Sequence, residues 1–355
     1  MTNLTRLVPV LGLFLLASCS SCGPGPAPVV DAGVDADVIT DSGEIIDSGE
    51  ITDSGEVPDS GAAPTRLRII NGSTGVLWIF YQIGSGGGAL SSAVPHQVEL
   101  AAGAHIDYPI PDEGLAATRF WPGFNCDATG NNCQVGQSGG PPADGFTCPS
   151  YNCAPPVDTK WEGTFGCLPS VPVADCQINP SSPTMAVLPP TDSWDTSLVD
   201  GFTMPFMVNV IGTCPGGPTA GTIDCSTLAT SLCPTAEDLS TGNMYPALAS
   251  ENMLVVNPMN GTTGGCYADC SRLTMTQWQS TGTFLPANPE AQMYCCPTPP
   301  ISPDMCRAGP VASTDYTDLV HTHCPQTYAY SYDDGSGLFN CPAGVRYEVT
   351  FYAPL

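Results

Sequence analysis

Eighteen cysteines constrain this 355-residue chain more than any other feature. Cysteine at that density marks a protein that matures in an oxidising compartment, where cross-links take over part of what a hydrophobic core does elsewhere. The remaining composition agrees with a stapled, loop-rich fold. Gly (38) and Pro (37) are abundant and only 12% of residues are charged, which favours an all-β chain over a helical one. Apolar runs at 66–70 and 76–83 meet through Asn71-Gly72, a hairpin signal, and runs at 96–100 and 104–110 meet around Ala102-Gly103. Further strands are expected over 117–121, 204–210 and 345–352. Helical periodicity is confined to two short stretches, about 266–279 and 313–322. Short strands separated by Gly/Pro turns predict a β-sandwich.

The first residues supply the route out of the cytoplasm. Met1 to Arg6 is a short basic start, and Leu7 to Ser18 is an apolar run too short to span a bilayer comfortably. It ends Leu16-Ala17-Ser18-Cys19, which resembles a bacterial lipobox. Residues 1–18 are therefore expected to be a lipoprotein signal peptide. Cys19 would carry palmitate and further acyl chains, since several chains anchor stably where one does not. Ser20 follows the cysteine where an acid does not; by resemblance to Gram-negative lipoproteins, this points to the outer membrane, possession of a surface-facing side being left open. Residues 19–64 read as a disordered acidic tether. Asp-Ser-Gly recurs at 41, 47, 53 and 59, and ten carboxylates lie between Asp31 and Asp59. Such a segment buries too little apolar surface to offset its chain entropy. It spans about 40 Å as a flexible chain. The repeat lacks the spacing of a calcium loop.

The formal charge of −26 argues against nucleic acid as a partner, because phosphate recognition needs a basic footprint. It suits a neutral or cationic partner, such as a polysaccharide. No nucleophile elbow, phosphate loop or His-Glu-x-x-His pattern occurs, so acyl transfer has no support. His321-x-His323-Cys324 is the sole His/Cys cluster, and neither a metal nor a cofactor is expected. Membrane contact is expected through the lipid anchor alone, and the protein is expected to be a monomer.

Three blocks carry a family resemblance. The last sixty residues contain Tyr294-Cys295-Cys296, Cys306, Cys324-Pro325 leading through Tyr328, Tyr330 and Tyr332 to Asp333-Asp334, then Cys341-Pro342 and Tyr347-Glu348-Val349-Thr350-Phe351. Asp195-Thr-Ser-Leu-Val-Asp200-Gly-Phe-Thr-Met-Pro205 forms the second block, and Thr118-Arg119-Phe120-Trp121 with Cys126 and Cys133 the third. In this order they resemble the thaumatin-like (pathogenesis-related 5) family. The resemblance implies an all-β thaumatin-like sandwich over 65–355, with disulfide-rich loop subdomains at about 127–187 and 213–323. It implies the bridges Cys126–Cys133, Cys214–Cys341, Cys225–Cys324, Cys233–Cys266, Cys270–Cys295 and Cys296–Cys306. Cys148, Cys153, Cys167 and Cys176 allow three pairings, of which Cys148–Cys153 and Cys167–Cys176 are favoured as local loops. One family bridge is missing at both ends: Gly72-Ser73 and Tyr352 stand where its cysteines would be.

The resemblance also implies an acidic cleft containing one arginine, one glutamate and three aspartates. Carried over by motif, these are Arg119, Asp195, Asp200 and Asp334, with Val187 in the place of the glutamate. Glycoside hydrolysis needs one protonated and one ionised carboxyl. A lost glutamate therefore weakens catalysis, unless Glu162 in the enlarged loop replaces it in space. Asp195 and Asp200 are five apart and reach one cleft only if the chain bends between them. The alternating Tyr328, Tyr330 and Tyr332 read as a strand with one buried face. The expected function is binding of β-1,3-glucan or a related wall polysaccharide. Weak endo-β-1,3-glucanase action, with Asp200 and Asp195 as catalytic groups, is the alternative. A protein-binding adhesin or inhibitor, in which these charges are only a structural ion network, is the third.

Overall fold

The computed structural model describes residues 65–84, 86–90, 94–136, 154–278 and 282–354. The signal peptide, Cys19, Cys22, the repeat tether and the pair Cys148 and Cys153 lie outside the described residues. The described strands are β1 (Leu67–Asn71), β2 (Leu77–Ile83), β3 (Gln97–Leu100), β4 (His105–Tyr108), β5 (Leu115–Phe124), β6 (Lys160–Phe165), β7 (Thr191–Ser197), β8 (Gly201–Phe202), β9 (Phe206–Ile211), β10 (Thr222–Asp224), β11 (Leu254–Val256), β12 (Thr263–Tyr267), β13 (Phe339–Pro342) and β14 (Arg346–Phe351). Short helices follow from α1 (Asp269–Thr274) through α2 (Gln292–Cys295), α3 (Pro303–Arg307) and α4 (Asp315–His323) to α5 (Asp334–Gly337). None of the described helices is long and apolar enough to cross a membrane.

Alternation builds the sandwich. β1 buries Leu67, Ile69 and Asn71, and β14 buries Tyr347, Val349 and Phe351, while the residues between them are only partly buried. These two strands pair in parallel inside a sheet ordered β10-β9-β14-β1-β4. The second sheet runs β13-β7-β6-β5-β2-β3. Its inward residues include Phe120, Trp161 and Trp194, each at most 1% exposed. Tyr347 from the first sheet meets Trp161 at 5.6 Å and Trp194 at 5.1 Å between ring centroids, and Tyr108 meets Phe120 at 4.6 Å. Burial of aromatic area at this junction supplies much of the driving force for closing the sandwich. A small third sheet, β11-β12-β8, carries the disulfide-rich region.

Neither expected hairpin forms. β1 pairs with β14 and β4, whereas β2 pairs with β3 and β5. The Asn71-Gly72 corner therefore carries the chain from one sheet to the other, and the Ala101–Ala104 corner carries it back. Asn71 explains why. Its fully buried amide donates to Gly75 O and Leu100 O, both at 2.8 Å, and its Oδ1 accepts from Ser73 N at 2.9 Å and Ser73 Oγ at 2.6 Å. One side chain thus ties both crossovers together. A Cβ on Gly72 would come within 2.6 Å of Thr350 Cγ2 and 2.8 Å of the Tyr352 ring. The two ends of the missing family bridge are therefore neighbours, and Tyr352 packs over a residue that has no side chain.

Other expectations also change. The span 127–187 is not only a loop subdomain, because it contributes β6 to the middle of the six-stranded sheet. The stretch at 266–279 yields only α1, with β12 occupying its beginning, and 313–322 becomes α4. The tyrosine run is a turn: Tyr328 makes an isolated parallel bridge to Ser197, and Tyr332 has a left-handed φ of 68°.

Among the described residues, seven bridges join Cys126–Cys133, Cys167–Cys176, Cys214–Cys341, Cys225–Cys324, Cys233–Cys266, Cys270–Cys295 and Cys296–Cys306. The described pairs are those the resemblance and the local-loop argument favour. Asn71→Ala, which strips hydrogen-bond partners from both crossovers, should lower the unfolding free energy by about 2–3 kcal/mol. Denaturant titration of the oxidised protein measures it.

Candidate functional site

β5, β6 and β7 are neighbours in the six-stranded sheet, and their register aligns Gln82 of β2 with Arg119, Glu162 and Asp195. Phe120, Trp161 and Trp194 point into the core, so Arg119, Glu162 and Asp195 stand on the opposite, outer face. Strands about 4.8 Å apart make this a continuous polar row. Lys160 lies two residues before Glu162 and shares its face. It pairs with Ser197.

The chain bends between Asp195 and Asp200, as shared use of one face requires. β7 ends at Ser197, and Gly201 N donates to Leu198 O at 3.0 Å to close the turn. Gly201 has φ 136°, and a Cβ there would lie 2.2 Å from Cys266 O, so no other residue fits. The turn brings the Asp200 carboxylate onto the Lys160 ammonium. Asp334 opens α5, where it accepts from the Tyr328 hydroxyl at 2.7 Å and pairs with Arg307 at 3.3 Å.

These groups share one electrostatic field. Loss of hydration pushes the Asp195 carboxyl well above its ordinary range. The Glu162 charge adds to that shift, Lys160 opposes it and Asp334 contributes further. Burial pulls Lys160 down, but the Asp200, Glu162 and Asp158 carboxylates more than offset it, so its pKa is raised. The face therefore presents a carboxyl that resists ionisation beside one that is salt-bridged. Unequal environments of this kind let two acids take different roles.

The register brings Glu162, which the sequence left open as a spatial replacement for the glutamate, into the row. Val187 sits in an isolated bridge to Ile178, away from the row, whereas Glu162 is paired to both Arg119 and Asp195. Glu162 is a strand residue, not part of a loop. Lys160 and Arg307 went unrecognised in the sequence. The alternation Lys160-Trp161-Glu162 around one core tryptophan was a usable signal for the former. Arg307 is brought to Asp334 by the Cys296–Cys306 bridge and α3, and carried no signal. The His/Cys cluster disperses: Cys324 bonds Cys225, His321 Nε2 pairs with Asp333 Oδ2 at 2.8 Å, and His323 Nδ1 lies 3.4 Å from Thr227 Oγ1. The Asp333 hydrogen bond raises the His321 pKa.

The Thaumatin family profile matches residues 76–353. The chain belongs to the thaumatin family. It is 28% identical over 257 residues to a glucan endo-1,3-beta-glucosidase of Prunus avium, covering 71% of this chain and 77% of that protein. It is 26% identical over 278 residues to thaumatin-like protein 1 of Pyrus pyrifolia, covering 78% and 85% respectively. Among solved structures, the thaumatin-like xylanase inhibitor TLXI aligns with a TM-score of 0.25 and 21% identity, over 43% of this chain and 78% of that one. In this thaumatin-family chain Arg119, Glu162 and Asp195 lie in register on the outer face, with Asp200 held there by Lys160 and Asp334 acting on Asp195.

A raised carboxyl makes the outer face a stability liability. As pH rises above the ordinary carboxyl value, the unfolded chain releases the Asp195 proton while the folded chain retains it, so stability falls until the folded value is passed. Asp195→Asn, which mimics the protonated form, should leave the melting temperature unchanged near pH 3. Near pH 8 it should stabilise the protein by about 0.5–2 kcal/mol, read from melting curves at both pH values.

Proposed function

We propose that this thaumatin-family protein binds β-1,3-glucan or a related cell-wall polysaccharide on the outer face of its six-stranded sheet. The observation that carries the reading is the register Arg119–Glu162–Asp195, flanked by Asp200 and Asp334. It offers a guanidinium and several carboxyl groups to a ligand rich in hydroxyls, and needs no cofactor. The name of the Prunus avium relative supports β-1,3-glucan as the substrate class. A second reading, slow endo-hydrolysis, is favoured by one observation: Asp195 resists ionisation directly across from Glu162. Asp195 would protonate the leaving oxygen, and Glu162 or Asp200 would act as the ionised partner. A protein partner is the competing outcome.

The oxidised protein should be retained by insoluble β-1,3-glucan and not by cellulose or chitin, with soluble sugar assayed in the same tubes. Asp200→Asn combined with Asp334→Asn should reduce retention by at least about tenfold, roughly the loss of one or two charge-assisted hydrogen bonds. Sugar release that falls at least about 100-fold in Glu162→Gln would establish hydrolysis. Absence of retention by any glucan would overturn the polysaccharide reading in favour of a protein partner.

We propose in addition, on the lipobox-like Leu16-Ala17-Ser18-Cys19, that the protein is held on the outer membrane of a Gram-negative bacterium by acyl chains on Cys19 and spaced from the lipid by residues 20–64. Cells expressing the full chain should incorporate labelled palmitate and fractionate it with outer membrane. Cys19→Ala should lose both label and membrane association; retention of both would remove the anchor from the proposal.

A further inference from the structure

Lys160 is the single lysine in the sequence, and its side chain is only 4% exposed. Buried ammonium groups are costly unless paired, so a chain with one lysine that buries it must satisfy it locally. The partners come from several elements. Asp158 precedes it, Glu162 stands two residues on along β6, Asp195 projects from β7, and Asp200 sits in the turn after β7. Arg119 faces Glu162 from β5, Asp334 adds its charge from α5, and Tyr316 of α4 donates to Leu198 O at 2.6 Å beside Asp200. Lys160 is the cation buried among these acids; Asp200, which it contacts, remains 40% exposed.

We infer that Lys160 is a positioning residue of the acidic row: its ammonium holds the Asp200 carboxylate against β6, beside Glu162 and Asp195. The strand supplies the lever. Lys160 and Glu162 share one face at a spacing of two, and because the Lys160 side chain is buried while Asp200 is 40% exposed, the exposed part of Asp200 remains available to a ligand. Without the cation, the Asp200 carboxylate loses the ion pair that holds it against β6 and is left beside the other carboxyl groups of the face. This deepens the polysaccharide reading and rests on it only for the ligand arm of the test.

A single lysine makes the experiment direct. Full-chain protein labelled with [15N]lysine should give one side-chain ammonium resonance, still visible at pH 7 because a buried, paired ammonium exchanges slowly. Carbon-13 carboxyl titration should show the Asp195 midpoint moving up by about one unit or more in Lys160→Met, because Lys160 opposes its upward shift, with Lys160→Arg restoring most of the change. Retention on insoluble β-1,3-glucan should fall by at least about tenfold in Lys160→Met, with its pH profile displaced, and recover in Lys160→Arg. An unchanged Asp195 midpoint in a folded Lys160→Met protein would overturn the assignment. Should that variant not fold, Asp200→Asn provides the second readout: the Lys160 ammonium should then exchange faster and titrate lower, and an unaltered resonance would overturn the assignment equally. Failure of the unsubstituted protein to bind glucan would remove the polysaccharide reading, while the titrations would still decide the role of Lys160.

Discussion

The buried pair of Arg66 and Asp192 is the interaction on which the rest of the arrangement depends. Arg66 precedes β1 in one sheet, and Asp192 lies on β7 in the other; they meet at 2.6 Å with side chains 5% and 1% exposed. Arg66 also donates to Gly166 O at 2.9 Å and stacks its guanidinium 5.2 Å from the Phe165 ring centre. Asp192 accepts from Gly166 N at 2.7 Å and from the Tyr347 hydroxyl at 3.0 Å. Burial pushes the Asp192 carboxyl up, and Arg66, Gly166 and Tyr347 pull against it. Removing either partner would leave an uncompensated charge inside the sandwich, which typically costs about 3–5 kcal/mol. The pair therefore ties β7 to a unique register.

That register reaches the surface. With Asp192 and Trp194 pointing inward, Ser193, Asp195 and Ser197 must point outward, because side chains alternate along a strand. A slip of one residue would place Asp195 in the core and Trp194 on the polar face. The core charge pair and the outer acidic row are thus consequences of one strand placement. Trp161 performs the same service on β6, holding Lys160 and Glu162 outward by filling the space between Trp194, Phe165 and Tyr347. Rigid neighbouring strands, rather than loops, carry three of the groups in the row, and that geometry suits a preorganised site.

The outer face combines two kinds of support. Arg119, Glu162 and Asp195 come from adjacent strands of the sandwich, while Asp334 and Arg307 come from short helices whose positions depend on cross-links. Cys296–Cys306 fastens α3, which presents Arg307, and Cys225–Cys324 fastens the end of α4 ahead of the turn that presents Tyr328 and Asp334. A low proportion of charged residues overall makes this convergence notable in physical terms, since Lys160, Arg119 and Arg307 are three of only eight bases in the chain.

Several residues of the candidate site were legible in the sequence, but the way they come together was not. Ordered motifs identified the family and located Arg119, Asp195, Asp200 and Asp334, because each lies inside a short block whose local pattern is distinctive. Glu162 was misplaced because 25 residues, 166 to 190, separate β6 from β7, and no local signal reports which strand lies beside which. Asn71-Gly72 looked like a hairpin because the dipeptide suits a tight turn; whether the next strand folds back or crosses to another sheet is decided by the buried hydrogen bonds of Asn71 to residues as distant as Leu100. The sequence by itself determined the strand-rich character, the cross-linked chemistry and the identities of the polar groups, since alternation, cysteine count and motifs are local properties. Only the tertiary structure decided that Lys160 and Glu162 join Asp195 on one face, because strand pairing is set by packing and hydrogen bonds between segments far apart along the chain.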